Sequence, residues 1–73
     1  MSTSKVVLAP VAGVILEVLG AVGAPVAEGD ELLIIESMKM EIPVDASATG
    51  TLASVAVSIG DHVNEGDELA VIS

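Results

Sequence analysis

Residues 12–35, AGVILEVLGAVGAPVAEGDELLII, reappear thirty-seven positions later as residues 49–72, TGTLASVAVSIGDHVNEGDELAVI. The alignment needs no gap. Ten of the twenty-four pairs are identical, among them Gly13 with Gly50, Gly23 with Gly60 and the Glu28-Gly29-Asp30-Glu31-Leu32 run with Glu65-Gly66-Asp67-Glu68-Leu69. Several of the others are exchanges among Val, Ile and Leu. A chain that repeats at a fixed offset is built from one supersecondary unit used twice.

Each unit reads as short strands broken at glycine. Val14 to Leu19 and Thr51 to Val57 are rich in β-branched residues; Glu31 to Glu36 and Glu68 to Ile72 follow the Glu-Gly-Asp turns, where Gly29 and Gly66 supply a positive φ. No window supports a helix of useful length. Units of this size have one apolar face each and cannot bury it alone, so the two close face to face as a two-sheet sandwich or flattened barrel with a pseudo-twofold axis.

Composition agrees with an all-β domain. The chain has 73 residues, room for a single domain over 1–73, and its apolar fraction of 52% contains no aromatic residue. Twelve Val and six Ile outnumber seven Leu, which favours strands. Without Cys there is no disulfide, thiolate metal site or thiol nucleophile, and a single histidine, His62, excludes a two-His ligand set. His62 follows Asp61 and is read as a surface turn residue with no chemical role. Eleven acidic residues oppose only Lys5 and Lys39, a formal charge of −9, which excludes a binder of the nucleic-acid backbone.

Residues 6–27 carry one charge, Glu17, and resemble a membrane span or leader peptide. Pro10, Pro25, Gly13, Gly20 and Gly23 would spoil such a helix. The repeat decides against it, because the second copy of the same stretch is polar and cannot span a bilayer. No membrane association is expected, and the cytoplasm is the expected compartment.

The segment Ser37-Met38-Lys39-Met40 joins the two copies and has no duplicate, since its counterpart would begin at position 74. It is therefore expected as an exposed hairpin tip at one end of the molecule, remote from Met1 and Ser73, with at least one of Met38 and Met40 exposed. Glu36 and Glu41 flank it and are placed to steer a basic partner surface.

Around this tip the sequence resembles a known family. Glu36-Ser37-Met38-Lys39-Met40-Glu41-Ile42-Pro43-Val44, with the Ala9-Pro10-Val11-Ala12-Gly13 opening before it and Ala48-Thr49-Gly50 after it, is similar to the biotinyl domain of biotin-dependent carboxylases, the biotin carboxyl carrier family, over about residues 8–73. Position 37 is usually Ala, and Ser is a mild departure. No room is left for the protruding insertion of some carriers, so the chain resembles the short, thumbless type. The resemblance implies a flattened barrel of two four-stranded antiparallel sheets, biotin attached by an amide to Lys39, and Met38 and Met40 as recognition flanks. It further implies three partners: a biotin protein ligase that acylates Lys39, a biotin carboxylase, and a carboxyltransferase that hands the carboxyl group to an acceptor such as an acyl-CoA. On this reading the chain is a carrier and not itself an enzyme. The alternatives are a lipoyl carrier, which shares the fold but usually has Asp-Lys-Ala at the tip, an unmodified adaptor, or a piece of a larger carboxylase. Met1 and a closing strand ending at Ser73 favour a free-standing protein.

Overall fold

The computed structural model describes residues 4–73. Eight strands follow one another: β1 (Lys5–Leu8), β2 (Gly13–Val18), β3 (Pro25–Val26), β4 (Glu31–Ser37), β5 (Met40–Asp45), β6 (Gly50–Val55), β7 (His62–Val63) and β8 (Glu68–Ile72). They form two antiparallel four-stranded sheets, ordered β1-β8-β6-β3 and β5-β4-β2-β7. Replacing every strand of the first sheet by the one thirty-seven residues away gives the second sheet in the same order. This is the all-β, two-sheet, pseudo-twofold architecture that the repeat implies. The apolar run 6–27 is cut into β1, β2 and β3, and among the described residues no helix is long and apolar enough to cross a membrane.

Two copies closing face to face would each form a sheet, yet each sheet takes two strands from either half of the chain. The reason is pairing: β2 and β6 hydrogen-bond to β4 and β8 of their own copies, but β1 pairs with β8 and β3 with β6, so the copies are laced together rather than merely stacked. The repeat also runs further than residues 12–35, because β1 and the link after it correspond to β5 and the link after that. Ala9 N–H donates to the Asp67 carbonyl at 2.8 Å, and its equivalent, Ala46 N–H, donates to the Asp30 carbonyl at 2.7 Å.

Among the described residues the core contains only aliphatic side chains. Its fourteen buried members fall into seven pairs at the same offset: Val7 with Val44, Ala9 with Ala46, Ile15 with Leu52, Val26 with Val63, Leu32 with Leu69, Leu33 with Ala70, and Ile35 with Ile72. Leu32 and Leu33 are consecutive and both buried, as are Leu69 and Ala70. A regular strand alternates its faces; here the register of β4 against β5 slips between Glu31 and Leu33, and that of β1 against β8 slips at Leu69, so a bulge turns two successive side chains inward.

The Glu-Gly-Asp turns behave as their sequence requires. Gly29 has φ 94° and Gly66 φ 90°, a region closed to most side chains. Each turn is closed by its aspartate, which the sequence reading did not assign: an Asp30 Oδ2 accepts from Ala27 N–H at 2.9 Å and an Asp67 Oδ2 from Asn64 N–H at 2.8 Å. His62 lies in the short strand β7, opposite Val14, and is exposed; it is a strand residue rather than part of a turn.

Candidate functional site

The β4–β5 hairpin places Lys39. Six cross-strand pairs run from Glu31 opposite Asp45 to Ser37 opposite Met40, which leaves Met38 and Lys39 as a two-residue loop. Their φ values are 52° and 66°. Positive φ at both positions is the signature of a type I′ turn, whose twist matches that of the strands it joins. Such turns normally take Asn-Gly, since a side chain in the left-handed region costs about 1–2 kcal/mol per residue. Met-Lys in this position is thus a poor turn sequence held by a good hairpin, and strained residues of this kind cluster where chemistry or recognition needs them.

The base of the hairpin supplies the restraint. Ile35 and Leu33 are almost wholly buried, and Val44 faces the same core from β5. On the other side of β4, β2 approaches so closely that a Cβ at Gly13 would collide with the carbonyl oxygen of Glu36 and lie 2.7 Å from the Ile35 Cγ2. Gly13 is required there by space. The chain needs all of β1 and the link after it to travel from the Lys5–Ile72 pair to Gly13 beneath the tip. Lys39 therefore sits at the end of the molecule away from Lys5 and Ser73, as the unduplicated segment suggests; Met1 lies outside the described residues.

At the tip Lys39 is exposed, Met38 is 92% exposed and Met40 62%. Both methionines face solvent, where a flexible thioether suits contact with more than one partner. Glu36 and Glu41 stand directly opposite each other and are both exposed, a like-charge cross-strand pair that works against the hairpin. A groove of about 420 Å³ lies elsewhere, between β1 and β5, lined by residues such as Val6, Leu8, Pro10 and Pro43, and Lys39 does not reach its walls. The lysine projects from the surface instead of lining a cleft. That geometry fits covalent biotin, whose attachment needs a primary amine that can enter a foreign active site.

The family described as "Biotin-requiring enzyme" matches residues 3–72. The chain is 46% identical over 50 residues to the human mitochondrial propionyl-CoA carboxylase alpha chain, covering 68% of this chain and 7% of that one. It is 43% identical over 51 residues to the biotin carboxyl carrier protein of Streptococcus mutans, covering 70% of this chain and 39% of the relative. Among solved structures, the Kluyveromyces lactis urea carboxylase superposes on all of this chain, which corresponds to 6% of that enzyme, with a TM-score of 0.93 at 33% identity. The chain thus spans well under half the length of these relatives. A matched family over nearly the whole sequence, a two-sheet barrel shared with a carboxylase and a lysine presented between methionines on a strained turn lead to one conclusion: the chain belongs to the biotin-requiring enzyme family and is a biotin carboxyl carrier domain.

Proposed function

We propose that Lys39 is the residue to which biotin is joined, with Met38 and Met40 as the flanks a biotin protein ligase reads. The single observation that carries this is the position of Lys39 at the exposed end of a two-residue turn between two exposed methionines. The Lys39 ammonium loses its proton on the ligase, its Nζ attacks the carboxyl carbon of biotinyl-adenylate made from biotin and ATP, the acyl–phosphate bond breaks with release of AMP, and an amide replaces the positive charge. When bound, biotin supplies a ureido nitrogen that accepts and releases a carboxyl group.

The rest is done by the chain's own residues through placement. Ile35, Leu33 and Val44 fix the hairpin, Gly13 lets β2 brace it, and the lysine stem gives reach, so the attached ring is kept at high effective concentration near two active sites in turn. Those sites belong to a biotin carboxylase and a carboxyltransferase, of the acyl-CoA carboxylase type, and the chain catalyses neither step. The relatives that contain such a domain within a carboxylase chain support this assignment of partners.

Incubation of the apo-protein with biotin ligase, biotin and ATP tests the reading. Lys39→Arg is expected to keep its fold, with stability changed by within about 0.5 kcal/mol, and to lose avidin binding completely. Lys5→Arg is expected to leave labelling intact. Label on the Lys39→Arg protein, or preferential lipoylation of the native chain by a lipoate ligase, would overturn it.

A further inference from the structure

The sulfur chemistry of the molecule is concentrated at the tip. The chain has three methionines and no Cys, Trp, Tyr or Phe, so methionine thioethers are its side chains most open to two-electron oxidants. Met1 lies outside the described residues. The other two flank Lys39, and among the described residues the core consists only of Val, Leu, Ile and Ala, without sulfur. Exposure at Met38 and Met40 is high enough that neither thioether is shielded by packing. Met38 and Met40 are both exposed and neither belongs to the core or packs against it, so a change in either side chain has no core contact to disturb.

We propose that Met38 and Met40 are a second modification site, at which a hydroperoxide such as hydrogen peroxide converts both thioethers to sulfoxides and so withdraws the apo-domain from biotinylation. In each event the peroxide O–O bond breaks, one oxygen is transferred to sulfur, the sulfur is oxidised by two electrons and the other oxygen leaves as water, or as an alcohol when the oxidant is an organic hydroperoxide. No further reactant is consumed. A methionine sulfoxide reductase, drawing on a thiol reductant, reverses the change. The sulfoxide is polar where the thioether was apolar, which leaves a solvent-exposed turn untouched but obliges a ligase surface that covers these side chains to bury an oxygen without a partner. The consequence for biotinylation rests on the carrier reading of Lys39, whereas the oxidation itself does not.

The experiment uses apo-protein treated with hydrogen peroxide, followed by peptide mass spectrometry and by timed biotinylation with ligase, biotin and ATP. One oxygen is expected on each of Met38 and Met40, at a rate within about threefold of free methionine. The initial biotinylation rate of the doubly oxidised protein should fall by about tenfold or more and return after reductase treatment, with an unchanged amide NMR spectrum for the core strands. Met38→Leu/Met40→Leu, whatever its starting rate, should be indifferent to peroxide; if that variant takes no biotin, the reductase rescue of the native chain decides. Thioethers that resist oxidation, or a bis-sulfoxide labelled at an undiminished rate, would refute the proposal. Failure of untreated protein to accept biotin at Lys39 would instead defeat the carrier reading, while the oxygen count at Met38 and Met40 would still decide whether the tip is oxidised.

Discussion

The two ends of the molecule are assembled from the same parts. At one, Gly13 of β2 presses on Glu36 and Ile35 of β4; at the other, Gly50 of β6 presses on Ile72 of β8 and on Ser73 just past its end. Both glycines lie where a Cβ would collide with a carbonyl oxygen of the neighbouring strand. The ends differ in what lies beyond these contacts. Met38 and Lys39 close one pair of strands into a strained hairpin, while the equivalent strands β8 and β1 are joined by no turn. Glu36 and Glu41 face each other at the first end, and the residues thirty-seven positions away, Ser73 and Ser4, have uncharged side chains. The interior obeys the two-fold axis and the surface breaks it, so packing demands are met twice and the chemistry is placed once.

The most severe way to probe the shared part is to hollow the core at equivalent points. Ile35→Ala and Ile72→Ala each leave a cavity at a fully buried site and should each cost about 2–5 kcal/mol in urea unfolding. The two losses are expected to agree closely, and only the first should also slow biotin incorporation, because Ile35 carries the hairpin. Unequal stability losses would show that the symmetry of the core is geometric without being energetic.

Gly13→Ala and Gly50→Ala test the close approaches and should cost about 1–3 kcal/mol. Gly13 is expected to be the worse site. Its added carbon would lie 2.7 Å from Ile35 Cγ2, against 3.1 Å between Gly50 and Ile72 Cγ2, and Glu36 is paired on both sides within its sheet whereas Ser73 exchanges its backbone hydrogen bonds with Thr51 alone. Thermal melts of the two variants give the comparison directly.

At the tip the expected sign reverses. Replacing Met38-Lys39 by Asn-Gly supplies the sequence a type I′ turn prefers and should raise stability by about 1 kcal/mol while abolishing biotinylation. A destabilised double variant would mean that the native pair is not strained. The smallest effect belongs to the charges: Glu41→Ser, which imitates the other end, should gain about 0.2–1 kcal/mol at low ionic strength, and the gain should shrink as salt is added. A gain that ignores salt would assign the effect to something other than repulsion between Glu36 and Glu41.

Much of this was legible in the chain itself. The offset of thirty-seven residues, the glycine turns at Gly29 and Gly66, the strands β2, β4, β6 and β8 and the unduplicated tip are all local or periodic features, fixed by backbone preference and by alternation along a few residues. Lys39 stood out for the same reason, as one of two lysines and the one inside the segment that breaks the repeat. The sequence was silent where the information is not local. Whether β1 pairs with β8 or with its own copy, whether Leu32 and Leu33 can both face inward, and whether the loop of Met38 and Lys39 adopts positive φ depend on which backbone groups find partners across long stretches of chain, and on what the bulges bury when they do. Hydrogen-bond partners in a sheet are chosen collectively, by the arrangement that buries the most aliphatic surface with every strand paired. That choice laced the two copies together and held a lysine in a conformation its own turn would not select.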